Sequence, residues 1–96
     1  MKLQDKVAII TGGSKGIGLG CAKVFAKYGC RLVLAARGAE AGRQAVDALN
    51  AAGHAALFIA TDVAGEADVR AMIDATIDRF GRLDCIVNNA GWHPPA

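Results

Sequence analysis

The sequence predicts an open, doubly wound α/β fold on a parallel sheet, and three observations carry that expectation. Short apolar runs alternate with stripes at helical spacing along the whole chain. The runs are continuous, as expected for strands covered on both faces and joined by right-handed helical crossovers. Alanine and glycine supply 32 of the 96 residues, and such small side chains let helices lie close on a sheet. A chain of this length buries only about 60–65% of its unfolded surface. It has room for one modest core, not for a nucleotide domain and a substrate domain together.

The first strand is expected at Val7–Ile10, ending at Thr11-Gly12-Gly13. Ile17, Cys21, Val24, Phe25 and Tyr28 then recur as one face of a helix, which Gly29 stops. Leu32–Ala36 is the second strand. Ala41, Ala45, Ala48, Leu49 and Ala52 make the second helical stripe, closed by Gly53. Ala55–Ala60 is the third strand, and Val69, Met72, Ile73, Thr76, Ile77 and Phe80 form the third helical face, closed by Gly81. Asp84–Val87 is the fourth strand, followed by Asn88-Asn89-Ala90-Gly91. The order is β-α-β-α-β-α-β. Ala64 stands where a Ser or Thr cap would suit the third helix, and Glu66 and Asp68 partly compensate by facing the positive end of its dipole.

Hydrophobic residues make up 53% of the chain and charged residues 21%, a globular balance far from that of disorder. The net charge of +2 comes from scattered basic residues without a run or stripe, which argues against nucleic acid as a partner. Cys21, Cys30 and Cys85 cannot all pair within one chain, and no two have C-x-x-C spacing. With His54 and His93 isolated, no metal site is expected. Three reduced, mostly buried thiols suit a reducing compartment. The polar segment Met1–Lys6 is unlike a signal peptide, and no apolar run approaches the ~20 residues of a membrane span. The expectation is a cytoplasmic chain that does not enter membranes.

The strongest chemical signal is Thr11-Gly12-Gly13-Ser14-Lys15-Gly16-Ile17-Gly18, between the first strand and the first helix. A phosphate needs backbone N–H donors with no Cβ in the way, and a helix start supplies donors and a positive dipole end. Glycine permits the tight turn at Gly12, close approach of a pyrophosphate near Gly16, and close helix–strand contact at Gly18. Ser14, Lys15 and Ile17 complete the candidate cradle. The spacing G-x-x-x-G-x-G is not a P-loop, because Lys15 precedes the second motif glycine, so ATP hydrolysis is disfavoured.

This turn, the pair Asp62-Val63 after the third strand, and Asn88-Asn89-Ala90-Gly91 after the fourth together resemble the short-chain dehydrogenase/reductase family in order and distance. The resemblance covers the entire chain. It implies a Rossmann-like sheet of order 3-2-1-4, the N-terminal dinucleotide-binding part of such a domain, truncated before its catalytic half. It implies an oxidoreductase that transfers hydride between a nicotinamide dinucleotide and an alcohol or carbonyl substrate, homo-oligomeric in its full-length form. Gly12, Gly16 and Gly18 would surround the pyrophosphate, and Asp62 and Val63 the adenine. Asn88, Ala90 and Gly91 would lie beside the adenosine ribose, with Asn88 bracing the central strands. On the residues alone, Asp62 equally suits a loop cap, and Asn-Asn-Ala-Gly an ordinary turn. The segment Gly81–Pro95 is similar to 17β-hydroxysteroid dehydrogenases of the type 14 group, whose acidic residue after the second strand is replaced here by Ala36.

A ribose 2′-hydroxyl is usually held by an acidic residue at the end of the second strand, whereas a 2′-phosphate calls for a cation. Here Ala36 takes that position and Arg37 follows it, with Lys15 in the turn. NADP(H) is therefore expected over NAD(H), because a guanidinium can fork onto phosphate oxygens or stack on the adenine. Solvated surface cations are the plainer alternative for both residues.

Family enzymes carry a Ser and a Tyr-x-x-x-Lys segment, in which the lysine lowers the tyrosine pKa for general acid/base work. The sole tyrosine, Tyr28, is followed four residues later by Leu32, no lysine follows Lys27, and the sole serine, Ser14, lies in the glycine turn. No catalytic residue is assigned, and these residues alone are expected to be inactive. Trp92 and His93 could line a substrate mouth, although His93 also reads as an exposed residue beside the stiff Pro94-Pro95. The alternative function is a non-catalytic dinucleotide-binding or interaction module.

Overall fold

A computed structural model of the chain describes residues 4–12, 16–62 and 64–88. Seven elements follow one another: β1 (Val7–Thr11), α1 (Gly16–Lys27), β2 (Arg31–Ala36), α2 (Ala39–Ala51), β3 (Ala56–Ala60), α3 (Glu66–Phe80) and β4 (Cys85–Asn88). The four strands form one parallel sheet in the order β3-β2-β1-β4. Fold class and strand order agree with expectation. The crossover from β2 out to β3 and back to β4 leaves β1 and β2 central, and they are the best-buried strands.

Alternate residues of β1 and β2 serve two opposite cores, because side chains switch faces with period two. Ala8, Ile10, Leu32 and Leu34 pack with Ala22 and Ala26 of α1 and with Ala45, Val46 and Leu49 of α2. Ile9, Val33 and Ala35 pack with Met72 of α3, flanked by the half-buried Leu57, Ile59, Val69 and Phe80. Within that second core the buried Thr76 hydroxyl donates to Met72 O at 2.8 Å, so no polar hydrogen is stranded.

The helical faces are rotated from those the apolar spacing predicts. In α1 the line against the sheet runs through Gly18, Ala22 and Ala26, while Val24 is 52% exposed and Tyr28, just beyond the helix, is 45% exposed. Small residues win this face because they let the helix axis approach the sheet, and the larger side chains are turned to the rim. In α2 the buried set is Gly42, Ala45, Val46 and Leu49; Ala41 and Ala48 face outward, as does Ala52 just beyond the helix. Gly42 is fixed by a close approach: a Cβ there would run into the ring of Phe58 on β3. In α3 the predicted face holds at Met72 and Thr76, whereas Ile77 is 45% exposed.

The ends differ by a residue or so. Strand β3 starts at Ala56 and β4 spans Cys85–Asn88, because Asp84 is used differently: its N–H donates to Val7 O while its carboxylate accepts from Val7 N–H at 2.9 Å. Gly65, not Ala64, is the N-cap of α3, and it makes no side-chain cap bond. Asp68 of the first turn instead accepts the Asp62 N–H at 3.0 Å. Helices α1 and α2 both close with paired backbone bonds, from Gly29 and Cys30 to Ala26 and Phe25, and from Gly53 and His54 to Asn50 and Leu49.

Only one cysteine meets the expectation of burial: Cys30 is buried, Cys21 is half-buried and Cys85 is exposed on the edge strand. Burial pushes the Cys30 thiol above its usual pKa. Among the described residues no helix is long and apolar enough to cross a membrane.

Candidate functional site

Parallel pairing brings the carboxyl ends of all four strands to one edge of the sheet. Thr11 is level with Ala35 of β2 and with Asn88 of β4, and Ala36 is level with Ala60 of β3. Among the described candidates, Gly12, Arg37, Asp62 and Asn88, far apart in sequence, are thereby gathered along one rim. In an open α/β sheet, ligands bind at that rim where neighbouring connections diverge to opposite faces. Here the divergence lies between β1, followed by α1 on one face, and β4, reached from α3 on the other.

Gly12 leaves β1 with φ of 67°, in the left-handed region, and its N–H donates to Ala35 O at 2.7 Å. A side chain there would be strained, so the turn needs glycine. The helix α1 begins at Gly16 and runs through Ile17, and Gly18 is buried in the helix. Ser14, Lys15, Val63, Ala90 and Gly91 lie outside the described residues, as do Trp92 and His93.

Thr11 and Asn88 show how the rim is held. The Thr11 side chain is buried and its hydroxyl lies 2.9 Å from Asn88 Oδ1 and 3.3 Å from Val87 O. A bond to Oδ1 leaves the Asn88 amide nitrogen as that side chain's donor end. Asn88 thus ties the end of the edge strand β4 to β1, with Thr11 as its partner. Sequence reasoning took Thr11 only as the first letter of a glycine turn. A β-branched hydroxyl at the last position of a buried strand was the available signal.

Thr61 is a second residue that pattern reading passed over. It is buried, its N–H continues the ladder to Ala36 O at 2.9 Å, and its hydroxyl donates to Ile59 O at 3.0 Å. It carries β3 one step further and delivers Asp62 to the rim. The Asp62 carboxylate accepts the Ala64 N–H at 3.0 Å and the Asp62 carbonyl accepts the Gly65 N–H at 2.9 Å. The loop-cap reading of Asp62 is therefore realised, and one oxygen, Oδ1, is engaged in it.

Arg37 follows Ala36 at the end of β2 and is exposed. Its guanidinium makes no ion pair among the described residues, where the two pairs are Arg31–Asp5 and Arg82–Asp84. Glu40, in the first turn of α2, is the nearest acidic residue in sequence. Among the described residues the rim thus combines Gly12 at the end of β1, the start of α1, an arginine outside both ion pairs, a carboxylate and an amide. That set suits an anionic, nucleotide-like ligand.

Comparisons with known proteins agree. The family model for short chain dehydrogenase matches residues 6–96. The chain is 47% identical over 94 residues to L-fucose dehydrogenase of Oryctolagus cuniculus, an alignment that covers 98% of this chain and 32% of that protein. It is 45% identical over 95 residues to short chain dehydrogenase/reductase astE of Aspergillus oryzae, covering 98% of this chain and 36% of that one. The fold matches the apo-form crystal structure of glucose dehydrogenase of Caenorhabditis elegans with a TM-score of 0.87 at 35% identity, over 97% of this chain and 40% of that chain. The chain spans about a third of the length of the curated relatives it matches. On these grounds the chain belongs to the short chain dehydrogenase family of oxidoreductases.

Proposed function

We propose that the chain binds NADP(H) in preference to NAD(H) along the carboxyl rim of its sheet, as the cofactor-binding part of an oxidoreductase that interconverts alcohols and carbonyls. The observation that carries the cofactor choice is Arg37, exposed beside Ala36 and without a carboxylate partner among the described residues. An acidic residue in place of Ala36 would hold a 2′-hydroxyl and repel a 2′-phosphate, whereas a free guanidinium reverses both preferences. The fit to the dinucleotide rests on Gly12, whose positive φ at the end of β1 calls for a residue without a Cβ.

In this reading Gly12, Ser14, Gly16, Ile17 and Gly18 surround the pyrophosphate, and Lys15 and Arg37 hold the 2′-phosphate. Asp62 and Val63 flank the adenine, and Asn88, Ala90 and Gly91 flank the ribose. The bound dinucleotide supplies or accepts the hydride. The chain's own residues bind and orient it. The acid/base step needs a tyrosine with a lysine four residues on, and Tyr28 is followed by Leu32 at that distance. The 96 residues are thus proposed to bind cofactor without turning over substrate.

Fluorescence titration with NADPH and NADH tests the reading. Tighter NADPH binding is expected, with Arg37→Ala erasing most of that preference, at least tenfold. Tighter NADH binding, or a preference untouched by Arg37→Ala, would sink the assignment.

A further inference from the structure

The first turn of α3 reaches back to hold the end of β3. Beyond the last ladder bond, from Thr61 N–H to Ala36 O, the Asp62 N–H donates to Asp68 Oδ2 at 3.0 Å. The Asp62 carbonyl accepts the Gly65 N–H at 2.9 Å, and Asp62 Oδ1 accepts the Ala64 N–H at 3.0 Å. Among the described residues, Oδ2 is the one polar atom of Asp62 that takes no bond. Asp68 does work that the cap position cannot do. Gly65, the N-cap of α3, makes no side-chain bond, and Ala64 before it has no hydroxyl.

Charge sorts the rim into two ends. Arg37 follows β2 and Asp62 follows β3, neighbouring strands of a kind that lie ~4.8 Å apart. Arg37 is a cation outside both ion pairs, whereas Asp62, Glu66 and Asp68 make the start of α3 acidic. A phosphate is drawn to the first and repelled by the second. The acidic end suits an N–H donor instead, because a carboxylate oxygen only accepts. In NADP(H) one ribose carries both the 2′-phosphate and the adenine, so the two ends can take one group each.

Resting on that dinucleotide reading, we propose that Asp68 is a positioning residue for the adenine: by holding the Asp62 N–H, it fixes the turn that leaves Asp62 Oδ2 to accept the 6-amino group. Asp68 acts through Asp62 and does not touch the ligand. Hypoxanthine has an oxygen in place of that amine, so it meets the carboxylate with a second acceptor and binds less tightly. The Asp62–Asp68 bond is exposed, so water can replace it at little cost in stability. Its loss is felt in the placing of Asp62 and not in the fold.

Fluorescence titration of the 96-residue chain with NADPH and with its hypoxanthine analogue tests the proposal. Wild type is expected to favour NADPH about tenfold, as one hydrogen bond to a charged group allows. Asp68→Ala should remove most of that preference by weakening NADPH alone, with Tm unchanged and the Asp62 amide exchanging about tenfold faster. Asp68→Asn keeps an acceptor oxygen and should restore most of both. A wild type indifferent to the base, equal weakening of the two ligands by Asp68→Ala, or unchanged exchange at Asp62 overturns the proposal. A chain that binds NADH more tightly than NADPH, yet whose preference for adenine vanishes in Asp68→Ala, refutes the Arg37 assignment and supports this one. Binding of no dinucleotide overturns both.

Discussion

Asp84 ties the start of β4 to β1 through its own backbone and its carboxylate. One oxygen accepts the Val7 N–H, and both face Arg82 at 2.8 Å in a two-pronged pair. Those bonds, led by the one from Arg82, hold the Asp84 carboxyl below its ordinary pKa of 3.8. A carboxyl depressed on folding stabilises fully above its unfolded value and loses that contribution as pH falls through its folded value. Urea midpoints should therefore fall as pH drops below about 4, and Asp84→Asn should flatten that part of the acid limb. An unchanged slope in the variant would show that other carboxylates govern it. At the opposite end of β1, Thr11→Val removes the hydroxyl bonded to Asn88 while keeping its shape. Loss of about 1–2 kcal/mol is expected in denaturant titration, since Asn88 Oδ1 loses its donor.

Among the elements, the two helices on the α1–α2 face make opposite uses of glycine. Gly42 sits in α2 where a Cβ would strike the Phe58 ring, whereas a Cβ at Gly20 of α1 would meet nothing within 4 Å. Gly42→Ala should therefore destabilise the chain by about 1–3 kcal/mol through overpacking. Gly20→Ala should stabilise it by about 0.5–1 kcal/mol, by cutting the backbone entropy of the unfolded state. Thermal unfolding of the pair should move Tm in opposite directions, and equal shifts would contradict the packing account. Element order and type were legible from runs and stripes because period and turn residues are local. Which stripe of α1 and α2 meets the sheet was not. That choice depends on how closely two axes can approach, and Ala22, Ala26 and Gly42 won it over Val24, Tyr28 and Ala48.

For the whole molecule, the sheet has unlike edges. On β3 the Asn50 amide bonds both backbone groups of Ala56, at 3.0 and 3.1 Å, which blocks the start of that edge. On β4, Cys85 is exposed and Ile86 is 46% exposed, at the other end of the strand order. An apolar edge strand is a template for pairing with another chain. Sedimentation should show concentration-dependent association of the chain, reduced by Ile86→Lys. A monomer at all concentrations would contradict this reading of the edge.

The sequence by itself determined the alternation of elements, the glycine turn after β1 and the family, since each is written in adjacent residues or short motifs. Only the tertiary structure decided that Thr11 is the partner of Asn88, that Asp62 spends one oxygen on its own turn, and that Val24 and Ala48 face away from the sheet. Those facts join residues up to 77 positions apart, or depend on which face a helix turns inward. The parallel register and the axis-to-axis distance set them, and neither is encoded in any local stretch of the chain.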